Sequence, residues 1–355
     1  MAYGIGLMVT LKVTLNGKRL EHEFLGLEDG TATFSEDKAA LARLVFSAPD
    51  DNLLDTQEGE TLKLEWGWDE RFETEFVWSG KVQTLEADFD SGFTQVVILA
   101  YGPSFELRDA NNPEAVKGTR KDAAERLIRK YNLTPNVKLS SSSTATIYGL
   151  KDSQSAWETL RALARAENAF VLERGADTIF IGARETQDTL YTFYYGDAPG
   201  KLDATVSKFA PRWSRKKRLK KVTVISDSAK DGKRIEGIWD YAPVKLTTTK
   251  TDKRGRQRTS TIKDDDRTNE LSLRATVKTK AEAEQIAKRI GTRGEGMSRT
   301  AELDAPMVPV RLGDVIAVDG DDLGRYAGKH IITEVQFTIA GSAAGEMRCS
   351  LERKG

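Results

Sequence analysis

The sequence has few of the residues on which catalytic and metal sites depend. Its 355 residues include one cysteine, Cys349, and two histidines, His22 and His330. A single cysteine excludes a disulfide within the chain, and neither histidine has a companion at metal-ligand spacing. The sequence also lacks a GxSxG elbow and a Walker loop. We therefore predict that the protein is not an enzyme and that it has no catalytic residues, no cofactor and no metal site.

The sequence also lacks a long apolar run and an excess of one charge. No stretch approaches the ~20 apolar residues of a membrane-spanning helix, and Met1–Met8 lacks the basic and long apolar regions of a signal peptide. Lys+Arg and Asp+Glu each number 54, so the formal net charge is +0. This balance argues against nucleic acid or membrane as a partner of the whole chain. We expect folding in a reducing cytosol, with Cys349 as a small buried hydrophobe.

Strand patterning dominates the sequence from residue 7 to about 107. Leu7–Leu15 alternates apolar and polar residues, and Asn16-Gly17 after it is a strong hairpin signal. Glu28-Asp29-Gly30 has the composition of a turn. Further strands are predicted at Leu41–Ala48, Thr61–Trp68, Glu73–Glu86 and Thr94–Tyr101. This spacing predicts a β-sandwich or barrel, in which Trp66, Trp68 and Trp78 serve packing more readily than they form a ligand platform.

Two amphipathic helices follow a boundary at Asn111-Asn112-Pro113. Thr119 is placed to cap the first helix, with Asp122 at the third position. The second helix is expected from about Ser153 to Asn168, followed by a hairpin. The predicted apolar stripes are Ala124, Leu127, Ile128 and Tyr131 in the first helix, and Ala156, Trp157, Leu160, Leu163 and Ala164 in the second. These signals predict a small α+β unit.

Residues 186–278 carry strand signals around a polar stretch. Strands are predicted at Thr189–Tyr195, Leu219–Ser226 and Ile235–Tyr241, whereas 245–269 is predicted to be a solvated loop. A capping-box spacing at Thr279 and Glu282 then opens a helix, for which Gly291 is the expected stop. Short strands separated by turns follow: Val308–Val310, Val315–Val318, Ile331–Ile339 and Glu346–Glu352. One helix followed by a small antiparallel barrel accounts for the last segment.

The sharpest charge feature of the chain is a basic run. It consists of Arg212, Arg215, Lys216, Lys217, Arg218, Lys220 and Lys221, with Trp213 among them. One hypothesis is nucleic-acid contact, with Trp213 as a stacking ring. The other is a solvated strand edge or an interface to an acidic neighbour, because lysines on an edge block unwanted strand pairing. Arg212, Trp213, Arg215, Lys216, Lys217 and Arg218 are the candidate interface residues.

Three segments carry a resemblance to a known family. They read "EGETLKLEWGW…FVWSGKVQTLEADF", "AAERLIRKYNL…DSQSAWETLRALARAENAFVLERGADTIFIG" and "LGDVIAVDG…GKHIITEVQFTI…MRCSLERK". In this order they resemble the phage late control D family of tail baseplate hub proteins, which are similar to the first part of the type VI secretion spike protein. The second segment is the most specific: Trp157, Leu160, Leu163 and Ala164 occupy the family's helix positions, and Asn168 stands where glycine is usual.

The resemblance implies a fold, an assembly and a location. The fold is mainly β with an α+β insertion: two tube-protein-like β-barrel or sandwich domains, at 1–110 and 279–355, flank an α+β domain at 111–185 and a β-rich connection at 186–278. The function is that of a central hub, a homotrimer whose pseudo-sixfold ring joins a sixfold tail tube above to a separate threefold spike below, among other baseplate proteins. Such a hub is assembled in the bacterial cytoplasm and works in a virion or injection-particle baseplate.

Overall fold

A computed structural model describes most of the chain. The residues described are 9–20, 26–36, 38–47, 51–68, 77–90, 93–109, 117–140, 144–146, 155–167, 169–174, 177–183, 189, 191–196, 205–214, 218–227, 234–242, 245–251, 257–263, 269–274, 277, 279–297, 299–308, 310–320, 323–340 and 345–354. Within them the mainly-β class and the α+β insertion are confirmed. None of the helices among them has the length and hydropathy of a membrane span.

The described residues form 23 strands and five α-helices. The strands are β1 Val9–Leu15, β2 Lys18–Leu20, β3 Leu27–Ser35, β4 Leu41–Ser47, β5 Thr61–Trp68, β6 Val77–Asp90, β7 Phe93–Tyr101, β8 Lys117–Thr119, β9 Thr134–Val137, β10 Thr144–Thr146, β11 Phe170–Arg174, β12 Thr178–Gly182, β13 Tyr191–Tyr194, β14 Lys208–Trp213, β15 Leu219–Asp227, β16 Arg234–Asp240, β17 Lys245–Thr251, β18 Gln257–Lys263, β19 Asn269–Arg274, β20 Arg299–Pro306, β21 Val315–Asp319, β22 Gly328–Ala340 and β23 Glu346–Arg353. The helices are α1 Asp51–Leu54, α2 Ser104–Asp109, α3 Arg120–Lys130, α4 Ala156–Ala166 and α5 Lys280–Met297.

The chain folds into two compact units. The first combines 1–210 with 301–354, and the second comprises 211–300. The first contains most of a 13-stranded, largely antiparallel sheet with the order β14-β20-β23-β22-β3-β4-β7-β6-β5-β1-β2, to which β21 and β13 add beside β22. The α+β insertion belongs to this unit.

Strands that the sequence assigned to two β domains share this one sheet. β22 pairs antiparallel with β3, with Val335 opposite Phe34, and it also pairs with β21 and β23. The rings of Phe34 and Phe337 meet edge to face with their centroids 6.1 Å apart. Leu44, Ile98, Leu303 and Cys349 accordingly lie in a single buried cluster. The first and last β segments are therefore one sheet with one core.

Two turn predictions in the sheet have different outcomes. Asn16 and Gly17 adopt φ angles of 47° and 81° and join β1 to β2, so the predicted hairpin is confirmed. The turn predicted at Glu28-Asp29-Gly30 is wrong, because these residues lie inside β3, where Gly30 is paired with both Leu44 and Ile339. A register shift between Leu27 and Asp29 accommodates the irregular composition there.

The α+β insertion follows the predicted helices closely. The Thr119 hydroxyl accepts a hydrogen bond from the Asp122 N–H at 3.1 Å, and Ser155 forms a capping box with Glu158. The two predicted stripes bury against β9, β11 and β12, with Tyr131 only partly buried. The cap predicted at Asn168 lies outside the described residues. On the other face of this small sheet, Leu172 and Phe180 belong to the core of the large sheet. The small sheet is therefore packed between the two helices of the insertion and the large sheet.

Two predictions for the second unit are wrong. The helix that begins after Thr279 does not end at Gly291: α5 continues to Met297 and packs on β15 and β16. Gly291 is buried, and a Cβ there would overlap the Trp239 ring, so its role is close packing. Within the loop predicted at 245–269, the described residues 245–251 and 257–263 are paired as the antiparallel strands β17 and β18, and Asn269 begins β19. The β-branched threonines of both strands favour this extended conformation.

Candidate interface

The described residues of the basic run lie on or next to two strands, β14 at the edge of the large sheet and β15 of the second unit. Arg212 is exposed at the end of β14, and Lys220 is exposed at the start of β15. Arg218 precedes β15, and its carbonyl accepts a hydrogen bond from the Asn269 amide at 3.4 Å. Arg215, Lys216 and Lys217 lie outside the described residues. The described basic residues thus lie at the end of one strand and at the start of the next along the chain, and the predicted interface stays a prediction.

Trp213 is half-buried, and one face of its ring is occupied. The Arg299 guanidinium lies 5.0 Å from the ring centroid, a cation–π distance. A base stacking on that face would have to displace Arg299. Trp78 is buried at 2% exposure, and a Cβ at Gly80 would overlap it, so its packing role is confirmed. The side chains of Trp66 and Trp68 lie outside the described part of the structure.

Charge is distributed unevenly along the chain, and the net charge of the whole chain hides this. Residues 211–300 contain 25 lysines and arginines and 12 aspartates and glutamates, a formal net charge of +13. The rest of the chain contains 29 and 42, a net charge of −13. The sum of zero therefore conceals one strongly basic unit and one acidic unit. Counting charge over the candidate segments 186–278 and 279–355 separately would have revealed most of this asymmetry.

Glu173 is a buried carboxylate that sequence reasoning missed. It lies on β11 of the insertion, and one oxygen accepts a hydrogen bond from the Ser104 N–H, the N-terminus of α2, at 3.2 Å. A Cβ at Gly102 would overlap the carboxylate, so only glycine leaves room for it. Burial raises the pKa of Glu173, and the donors at Ser104 oppose that shift without cancelling it. Glu173 thus fastens the insertion to the segment that follows β7.

His330 is buried in the large sheet, on β22. Its Nδ1 lies 3.0 Å from the Gly328 carbonyl oxygen, and its ring meets Phe209 edge to face. Burial, with a contribution from Arg353, lowers the pKa of His330 from 6.5 to about 4. Burial also raises the pKa of Cys349 to about 12, which leaves its thiol unreactive. No group of three or more His, Cys, Asp and Glu side chains that could hold a metal occurs among the described residues.

We expect His330 to make the protein sensitive to acid. Because its folded pKa of about 4 lies below the ordinary 6.5, the unfolded chain binds the proton more tightly, and stability falls as the pH drops through this window. The loss attributable to His330 is about 3 kcal/mol. Urea denaturation between pH 7 and 4 gives the free energy of unfolding of the protein and of His330→Gln. The contribution of His330 is the change, over this pH range, in the difference between the two free energies. Parallel pH profiles for the two proteins would contradict the assignment.

The architecture defined by these elements is a mainly-β fold with one large curled sheet and an α+β insertion, and it is found in solved structures of phage tail proteins. A tail protein from Neisseria meningitidis MC58 aligns over 98% of this chain and 97% of its own, with a TM-score of 0.73 and 14% identity. The 43 kDa tail protein of prophage MuSo2 from Shewanella oneidensis aligns over 97% and 98%, with a TM-score of 0.69 and 15% identity.

A third similar structure comes from a secretion system. It is the Escherichia coli c3393 protein, a component of the type VI secretion system with structural similarity to the T4 bacteriophage tail proteins gp27 and gp5. It aligns over 97% of this chain and 77% of its own, with a TM-score of 0.57 and 10% identity. No protein-family model matches the sequence, and no curated protein shows significant sequence similarity. The chain thus shares the tail-protein fold over nearly its whole length.

Proposed function

We propose that this protein is a structural component of a phage-like tail, the central hub of its baseplate. The observation that carries the proposal is the end-to-end match to a tail protein, 98% of this chain and 97% of the other. The alignment leaves almost nothing of either chain unmatched. The hub is a homotrimer, assembled in the bacterial cytoplasm, that works in a virion or injection-particle baseplate.

The proposed mechanism is symmetry matching. Three chains, each contributing β-walled segments, form a pseudo-sixfold ring that joins a sixfold tail tube on one side to a separate threefold spike on the other, among other baseplate proteins. The large sheet supplies the wall, because its strands bury one face on the core. Assembly into a closed ring also covers sheet edges that a single copy exposes. The protein acts by position and contact, without catalysis.

Light scattering after size exclusion tests the trimer directly. We expect a mass of three times 39.3 kDa, and co-elution with the tube and spike proteins of the same particle. The binding of each partner should survive removal of nucleic acid by nuclease. A protein that is monomeric at all concentrations and binds neither neighbour would contradict the hub.

Nucleic-acid binding through the basic run at 212–221 is the second candidate. The net charge of +13 on residues 211–300 favours it, because a domain with such an excess attracts polyanions. The net charge of the whole chain and the Arg299 contact on Trp213 weigh against it. A mobility shift with duplex DNA that weakens steeply with salt would support this function.

A further inference from the structure

The turn between β1 and β2 contains the single asparagine–glycine pair of the sequence. Asn16 and Gly17 make up the whole turn, because Leu15 pairs with Lys18. Their φ angles of 47° and 81° are typical of a type I′ turn, and both residues are exposed. A Cβ at Gly17 would meet no atom within 4 Å apart from its chain neighbours. The turn is therefore open to water.

The side-chain amide of Asn16 is held by the segment that leads into β5. Its Nδ2 donates a hydrogen bond to Glu60 Oε1 at 3.2 Å, and the Asn16 N–H donates to the Thr61 carbonyl oxygen at 2.8 Å. The Gly17 N–H, in contrast, has no acceptor among the backbone groups that the structure describes. An open N–H thus follows directly, along the chain, on a side-chain carbonyl carbon.

We propose that Asn16-Gly17 is a site of spontaneous deamidation and that Glu60 sets its rate. The Gly17 nitrogen forms a bond to Cγ of Asn16, and the Cγ–Nδ2 bond breaks. The proton of the Gly17 N–H passes through water to the departing nitrogen, which leaves as ammonia. Water then opens the five-membered imide. Opening at Cγ gives aspartate, and opening at the backbone carbonyl carbon gives isoaspartate, in which the main chain runs through the side chain.

Glycine at position 17 favours this reaction, and Glu60 opposes it. The two reacting atoms have to approach to about 3–3.5 Å, and glycine has no side chain to hinder the approach or the backbone rotation that it needs. The hydrogen bond to Glu60 restrains the Asn16 amide. The negative charge of Glu60 also disfavours loss of the proton from the Gly17 nitrogen. Opening of this hydrogen bond therefore precedes the reaction.

The products disturb the end of the large sheet. A carboxylate at position 16 does not donate to Glu60 and repels it. In isoaspartate the turn is longer by one main-chain atom, whereas the geometry of the turn fixes the register of a hairpin. β2 has three residues and, among the described strands, pairs with β1 alone. We expect β2 to detach, which uncovers the buried Leu20 and opens the edge of β1 to pairing with another chain.

Peptide mapping by mass spectrometry, on the whole protein incubated at mildly alkaline pH, follows the reaction. The peptide containing Asn16 should change by the mass difference between an amide and an acid. Asn132 is the matched internal control, because it is exposed and has a φ of 56° but precedes Leu133, whose side chain hinders the attack. It should stay intact over the same period. Glu60→Ala should raise the rate at Asn16 about fivefold, and Glu60→Gln, which keeps an acceptor oxygen, should stay within about twofold of the original protein.

Asn16→Gly separates the consequence from the chemistry, because a Gly-Gly pair keeps the turn and has no side-chain amide. After incubation, amide hydrogen exchange in β2 should be faster in the original protein and unchanged in Asn16→Gly. An Asn16 that stays intact in both the original protein and Glu60→Ala overturns the site. Equal rates in these two proteins overturn the role of Glu60. Deamidation without faster exchange in β2 overturns the expected opening of the sheet edge.

Discussion

Replacing Gly237 with alanine is expected to destabilise the second unit by about 3 kcal/mol or more, which is at the upper end of overpacking effects. Gly237 lies on β16 directly beneath α5, and a Cβ there would overlap the backbone of Ala283 and Glu284. A side chain could rotate away from such a contact, but a helix backbone has to move as a whole. The added methyl therefore separates α5 from β16.

The consequence of that separation is large because the core of this unit is small. Val222, Val224, Ala283 and Ala287 are the buried residues between the sheet and α5, together with Val277. Moving the helix outward loosens all of these contacts at once. A small core has few other interactions to compensate.

The effect is measured on the whole protein, by urea denaturation and by limited proteolysis with cleavage followed within residues 211–300. Glu236→Ala, an exposed position on the same strand, is the matched control and should change stability by no more than about 0.5 kcal/mol. Gly237→Ala should also make α5 accessible to protease while the large sheet stays protected. Equal denaturation midpoints for Gly237→Ala and the control would show that α5 does not pack this closely.

Local signals in the sequence predicted local structure well. Asn16-Gly17, Thr119 and the stripe containing Trp157 each depend on neighbours a few residues away, and each has its expected geometry. Gly291 shows the limit of such signals. Glycine after an apolar stripe is typical of a helix end, but here it lies within α5 because Trp239 occupies the space of a side chain. Trp239 lies on β16, more than 50 residues before Gly291 in the sequence, so local sequence signals could not reveal this packing.

The pairing of distant strands was beyond sequence reasoning. β22 pairs with β3, and β21 pairs in parallel with β13, although alternation along one strand specifies only which face is buried, not which neighbour it meets. The resemblance suggested two tube-like β domains, and it did not specify that their strands would share one sheet. Glu173 was missed for the same reason. In the sequence it is one of many carboxylates, and its burial depends on Gly102 and Ser104 from another element.

We expect Glu173→Ala and Glu173→Gln to differ in sign at neutral pH. Alanine removes the acceptor for the buried Ser104 N–H and leaves a cavity where the insertion meets the sheet, at a cost of about 2–4 kcal/mol. Glutamine keeps the shape and an acceptor oxygen, and it removes a buried charge. Glu173→Gln should therefore be at least as stable as the original protein at pH 7 and above.

The pH dependence identifies the cause. Because burial raises the pKa of Glu173 above the ordinary 4.5, the folded state holds the proton more tightly than the unfolded chain does. Its contribution to stability is complete below pH 4.5 and is lost as the pH rises through the folded pKa. The advantage of Glu173→Gln should accordingly grow between pH 4 and pH 8 in urea denaturation, whereas Glu173→Ala is the less stable of the two variants throughout. If Glu173→Gln loses as much as Glu173→Ala at every pH, the carboxylate is held in its ionised form by partners stronger than the Ser104 N–H, and burial does not control it.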